Sequence, residues 1–195
     1  MRVSMKKNLN LSALAMVMLA LSGSALAEES TTLDVNFTAN IRETTCDMKL
    51  AGGTGSDSQQ TLTIGNNGQA RIDDIKAGNA NATFKIMIVE CPASLKSLKT
   101  TIRGTQDTNL LSGLANQIQK ASGGAEYAAV QIARASSPSA PFTPNSTVDA
   151  ERLVWSTTEI QNKEVSLVAT MRETRTDSMT LGDFQAVATF EFSYE

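Results

Sequence analysis

The chain has 195 residues, 17 basic and 20 acidic side chains, and no histidine. That length suits one domain with a sizeable core, and a slightly acidic balance with no basic run leaves nucleic-acid binding without electrostatic support. Lacking histidine, the chain lacks the commonest general base and the commonest metal ligand.

Residues 1–27 read as an export signal. Arg2, Lys6 and Lys7 form a basic start, residues 9–21 are apolar except for Asn10 and Ser12, and Ala25-Leu26-Ala27 is an A-x-A cleavage site. The apolar stretch is short for a bilayer span. Cleavage after Ala27 leaves residues 28–195, with 14 basic against 20 acidic residues once Arg2, Lys6 and Lys7 are removed, a net charge of −6. Export also bears on Cys46 and Cys91: an even pair in an oxidising compartment reads as one disulfide. Closing so large a loop stabilises by roughly 4 kcal/mol on the chain-entropy model.

The exported part reads as strands and turns. Leu33, Val35, Phe37, Ala39 and Ile41 alternate with Asp34, Asn36, Thr38 and Asn40, the period-2 pattern of a strand with one buried face. Residues 47–60, rich in Gly, Ser, Asp and Gln, read as a loop. Residues 61–64 read as a short strand closed by the turn Gly65-Asn66-Asn67-Gly68. Residues 82–91 form a strong strand with Phe84, Ile86 and Ile88 on one face and Met87 and Val89 on the other, which fits a central strand covered on both sides or one that crosses the middle of a sandwich. Pro92 stops it. Residues 99–103 are a further strand candidate, and residues 109–120 fit a short helix or an irregular apolar loop equally. Ala128, Val130 and Ile132 alternate, residues 136–145 hold three of the four prolines and read as a loop, and residues 153–155 and 165–171 read as strands. Phe184, Ala186, Ala188, Phe190, Phe192 and Tyr194 make the last alternating run. Short strands with few helical windows predict an all-β sandwich, with residues 28–41 as an N-terminal extension and residues 42–195 as the folded domain.

No motif marks a catalytic or metal site. Gly52-Gly53-Thr54-Gly55 is glycine-rich but no Gly-Lys-Ser/Thr follows, so it is not a phosphate loop. Asp73-Asp74 lacks EF-hand spacing and reads as a solvated turn. Ser94 and Ser97 flank Lys96, yet nothing marks a base held against a nucleophile. Trp155 reads as a core residue, with a place in a ligand site as the lesser alternative. No enzyme, metal or cofactor is expected.

Four features in order behind a signal peptide carry a family resemblance. A short alternating extension precedes the first cysteine. Cys46 and Cys91 stand at a characteristic separation. Cys91 ends the strong strand Phe84-Lys85-Ile86-Met87-Ile88-Val89-Glu90-Cys91. The last residues, 182–195, carry a Gly, an Ala-Thr-Phe and a penultimate Tyr, here Gly182, Ala188-Thr189-Phe190 and Tyr194. Over residues 28–195 the chain resembles the pilin subunits of chaperone–usher fimbriae, the type 1 and P pilus group.

That resemblance implies an immunoglobulin-like β-sandwich missing its last strand. It implies three kinds of partner: a periplasmic chaperone that lends a strand, an outer-membrane usher, and neighbouring pilin subunits. In the fibre, Leu33, Val35, Phe37, Ala39 and Ile41 would be the donor strand of one subunit, lying in the groove of the next beside Phe184, Ala186, Ala188, Phe190, Phe192 and Tyr194. Ala39 departs from the family pattern, which places Gly there. The expected location is the cell surface, reached through the periplasm, and the expected role is cell adhesion. The Ala39 departure and the loop-rich 104–150 region favour a minor or adaptor subunit over the major one. The alternatives are a carbohydrate-binding tip adhesin, for which the chain has no room for a separate lectin domain, and an exported β-sandwich ligand-binding protein.

Overall fold

A computed structural model describes residues 45–194. In chain order the strands are β1 (Asp47–Ala51), β2 (Thr54–Gly55), β3 (Gln60–Thr61), β4 (Asn81–Glu90), β5 (Leu98–Arg103), β6 (Gly113–Ala115), β7 (Ala128–Arg134), β8 (Leu153–Val154), β9 (Glu164–Glu173) and β10 (Thr189–Tyr194). Two short helices, α1 (Ile72–Ala77) and α2 (Thr157–Asn162), complete the set together with one 3-10 turn at Lys120–Ser122.

The strands form two main antiparallel sheets. The first has five strands in the order β1-β4-β9-β7-β6, the second three in the order β10-β5-β8, and β2 and β3 make a small hairpin. Alternate residues of both sheets turn inward, as period-2 side chains must. Ile86 and Ile88 of β4, Val165, Leu167 and Ala169 of β9, and Ile132 of β7 meet Leu98 and Ile102 of β5 in one buried cluster. The two sheets therefore make a β-sandwich. Cys46, just before β1, and Cys91, just after β4, are joined as the disulfide read from the sequence. It ties the start of an edge strand to the end of its neighbour.

Trp155 is buried among these residues, and its indole N–H donates to the Thr100 hydroxyl at 2.9 Å. It is a core residue. Residues 136–145 are a loop, as the prolines require, and drop Phe142 into the core.

Five local expectations need correction. The stretch 47–60 is not all loop: Met48 and Leu50 pair with Ile88 and Ile86 across the β1–β4 ladder. The strand expected at 61–64 shrinks to β3, which ends at Thr61. The strand buried on both faces is β9, where Val168 and Thr170 are buried opposite Leu167 and Ala169; on β4 the outer Val89 is 52% exposed. Asp73 and Asp74 lie in the first turn of α1, where acidic side chains complement the helix dipole, not in a turn. Residues 109–120 are neither alternative in pure form. They contain β6, which buries Leu114 while Leu111 stays 63% exposed.

Candidate functional site

The second sheet ends at β10, and its outer edge has no strand beside it among the described residues. The hydrogen-bond pattern fixes what that edge presents. Leu98 and Ile102 of β5 turn their carbonyls away from β10, accepting from the N–H of Trp155 at 2.9 Å and of Asn145 at 2.7 Å. In an antiparallel ladder both main-chain groups of a residue point to the same side. Lys99, Thr101 and Arg103 therefore face β10, and their partners there are Ser193, Glu191 and Thr189. The remaining residues, Phe190, Phe192 and Tyr194, turn their N–H and C=O groups to the open edge.

Phe190, Phe192 and Tyr194 also turn their side chains toward the core. They pack against it but stay half-buried, with no described layer over their outer flank. Phe190 reaches across the sandwich to Phe84 of β4, with ring centroids 5.8 Å apart. Met48 and Leu50 of β1 and Phe84 are likewise half-buried.

The same polarity continues below β10. Residues 184–188 are not in the β5 ladder, which shortens the expected strand. They nevertheless keep its alternation, with Phe184, Ala186 and Ala188 half-buried and Gln185 and Val187 exposed. Their odd-numbered neighbours are tied inward. The Asp183 carbonyl accepts from Ala125 N–H at 2.9 Å, and the Gln185 carbonyl from Gln117 N–H at 2.7 Å. The result is one continuously alternating segment from Phe184 to Tyr194. Its even-numbered residues aim side chains at the core and main-chain groups at an edge that no described residue pairs.

β1, the outermost strand of the first sheet, is partly closed by contrast. The Leu50 N–H donates to the Asp57 carbonyl at 2.7 Å, and its carbonyl accepts from the Gln60 side chain at 2.9 Å. The β2–β3 hairpin thus seals one position of β1, whereas the Phe184–Tyr194 edge has no such cover among the described residues.

Leu33, Val35, Phe37, Ala39 and Ile41 lie outside the described residues. Phe184, Ala186, Ala188, Phe190, Phe192 and Tyr194 are brought onto one edge. Sequence reasoning did not single out Phe84, Met48 or Leu50 as neighbours of this region, nor Asn116. A signal existed for the first three: Met48 and Leu50 alternate with Asp47 and Lys49, and Phe84 shares a face with Ile86. For Asn116 no periodicity applies. Among the described residues no group of three or more His, Cys, Asp or Glu side chains could hold a metal ion.

A disulfide-tied antiparallel sandwich whose last strand has an edge without a partner among the described residues belongs to the pilin-like class of fold. The crystal structure of the P pilus rod subunit PapA shares it: the match covers 83% of this chain and 100% of that one, at 17% identity and a TM-score of 0.51. The fimbrial protein pattern matches residues 15–195, and the chain belongs to that family, a structural and non-enzymatic one whose members are subunits of surface pili. Among curated relatives, the chain is 29% identical over 171 residues to the Escherichia coli K12 protein named "Uncharacterized fimbrial-like protein YadM", covering 85% of this chain and 88% of the relative. It is 28% identical over 177 residues to the major MR/P fimbria protein of Proteus mirabilis HI4320, covering 89% and 90%.

Proposed function

We propose that this pilin is a subunit of a chaperone–usher fimbria that polymerises by donor-strand exchange. The observation that carries the reading is the edge from Phe184 to Tyr194, with half-buried even-numbered side chains and main-chain groups that no described residue pairs. An added strand would bond to those groups and lay every second side chain into the same core, which is β-strand addition. Directly opposed residues share a face, so an incoming strand with period-2 apolar residues is what the edge selects.

The chain's own sequence supplies a segment of that kind in residues 33–41. Its five inward positions, Leu33, Val35, Phe37, Ala39 and Ile41, fit within the six even-numbered positions of the edge. Burying Leu33, Val35, Phe37 and Ile41 contributes on the order of 6–12 kcal/mol before ordering costs, at about 1.5–3 kcal/mol per large side chain. Residues 1–27 are the export signal, residues 28–41 the donor extension and residues 42–195 the acceptor domain. A periplasmic chaperone fills the groove before assembly, and the usher exchanges it for the next subunit's extension.

With both a donor and an acceptor, the chain takes an internal place in the fibre. The Ala39 departure favours an adaptor or other minor position over the shaft, and immunogold labelling separates the two: staining at the tip or at sparse points for a minor subunit, along the whole length for the major one. The central test is deletion of residues 28–41. The deleted subunit is expected to bind chaperone yet fail to enter fibres as a donor; normal incorporation would sink the reading.

A further inference from the structure

Residues 184–188 pose a physical problem. They must stay extended and in plane for a partner strand, yet β5 ends at Arg103 and offers them no ladder. Asn116, one residue past β6, sits where the missing ladder would be. Its side-chain amide donates to the carbonyls of Ala125 at 2.9 Å and Asp183 at 2.8 Å, and its oxygen accepts from the N–H of Ile118 at 3.1 Å and of Gln185 at 3.0 Å.

A side-chain amide has two N–H donors and one carbonyl oxygen with two lone pairs. Asn116 uses all four. Gln185 thereby has both main-chain groups satisfied: its N–H by the Asn116 oxygen and its carbonyl by the Gln117 N–H at 2.7 Å. Asn116 and Gln117 together act as a single rung of a strand, with the side chain standing in for a main-chain carbonyl. The rung also fixes the polarity of the segment. With Asp183 and Gln185 held inward, Phe184, Ala186 and Ala188 have their main-chain groups turned outward.

One side of the anchor is tightly packed. A Cβ built on Gly182, whose φ is 154°, would meet Ala125 N at 2.5 Å and Gly123 O at 2.6 Å, and Gly124 bridges Asp183 in parallel. The segment is therefore pinned at Asp183 and again at Thr189, where the β5 ladder begins, and Asn116 is the side chain that reaches between the two pins.

We propose that Asn116 is a positioning residue for strand acceptance: it holds residues 184–188 as a preformed continuation of the β10 edge, and the incoming donor strand depends on it although it does not touch that strand. The inference rests on the donor-strand reading and adds the residue that sets half of the acceptor edge.

The test uses the mature chain, residues 28–195, and a fluorescent peptide of residues 28–41. Wild type is expected to bind the peptide, and Asn116→Ala to bind it about tenfold or more weakly. Hydrogen exchange is expected to rise at the Gln185 and Gln117 amides while the β5–β10 amides keep their protection. Asn116→Asp retains the oxygen that accepts from Gln185 and Ile118 but sets a carboxylate oxygen against the Ala125 and Asp183 carbonyls in place of the two donated bonds, so it too should bind about tenfold or more weakly than wild type. It also decides the matter if Asn116→Ala does not fold. Equal peptide affinity in wild type and the variants would overturn the positioning role. A weakening matched by equal loosening of the β5–β10 amides would overturn it too, because Asn116 would then be only a general support of the fold. Failure of monomeric wild type to bind the peptide, with no neighbouring subunit's extension to fill the groove, would instead overturn the donor-strand reading on which the inference stands.

Discussion

At the scale of single residues, polar groups inside the sandwich decide more than their number suggests. Thr100 is fully buried on the same face as Leu98 and Ile102, and its hydroxyl receives the Trp155 indole N–H. Replacing it by Val keeps the shape and orphans a buried donor, which costs about 1–3 kcal/mol. Urea unfolding of Thr100→Val should show that loss at an unchanged denaturant slope, and an unchanged midpoint would mean the indole finds another acceptor. Asn145 illustrates a second use of an amide. β8 is only two residues long and leaves the end of β5 uncovered, and Asn145 closes it with its oxygen on Gly104 N–H at 3.2 Å and its nitrogen on the Gly104 carbonyl at 2.8 Å. Burial of Trp155 was legible in the sequence, since a large apolar ring in a short strand has few other places to go. The roles of Asn116 and Asn145 were not. Their partners lie as far as 69 and 41 residues away, and nothing in the local pattern distinguishes them from solvent-facing turn residues.

At the scale of elements, alternation identified the long strands and failed where pairing is brief or supplied by other groups. β4, β7, β9 and β10 announce themselves by inward residues at every second position. β1 does so over only five residues, inside a stretch otherwise typical of loops. The run from Phe184 to Tyr194 alternates in burial throughout, as its sequence indicates, but a ladder exists only from Thr189 onward; sequence period reports side-chain burial, not which group completes the hydrogen bond. Helix α2 was missed because six residues are too few for a 3.6-residue period to show. Its start is nonetheless well built: Ser156 accepts from Glu159 N–H and the Glu159 carboxylate accepts from Ser156 N–H, a capping box. Glu159 also receives two bonds from Arg134, at 2.8 and 3.0 Å. Burial opposes its ionisation and is the largest single influence, but Arg134 and the Ser156 bonds together outweigh it and hold the carboxyl below its ordinary 4.5. A carboxyl depressed on folding stabilises above its unfolded value and loses that contribution as pH falls through its folded value. Glu159→Gln preserves much of the cap and removes the charge pair. It should cost about 1 kcal/mol near neutral pH, discounted because the pair reaches solvent. The gap from wild type should close as the solution is taken below about pH 4.5. Parallel denaturation series at pH 7 and below 4 check both statements, and a gap that widens on acidification would contradict the assigned direction.

At the scale of the whole molecule, the sandwich and its disulfide were legible in the residue pattern, while the state of its edge was implied only by the family resemblance. A sequence shows that a strand is apolar on one face, but not whether another strand lies beside it, because that depends on what the rest of the chain leaves uncovered. Among the described residues β10 has one neighbour, and its three aromatic residues, Phe190, Phe192 and Tyr194, are only half-buried against the core. Such a fold gains stability from whatever completes it. A ligand that binds only the folded state raises unfolding free energy by RT ln(1 + [L]/Kd), about 2.7 kcal/mol at a hundredfold excess over Kd. For a domain of this size, each kcal/mol moves the melting temperature by about 2–4 °C. The variant lacking residues 28–41 is therefore expected to melt about 5–10 °C higher when the peptide of residues 28–41 is added at that excess, with a midpoint that keeps climbing as peptide concentration increases. A peptide with Phe37 replaced by Asp should give little shift, because an unpaired carboxylate cannot enter an apolar groove without a desolvation cost that cancels the gain. Identical shifts from both peptides would show that stabilisation does not come from the inward side chains of the added strand, and a shift from neither would mean that the edge beside β10 is closed.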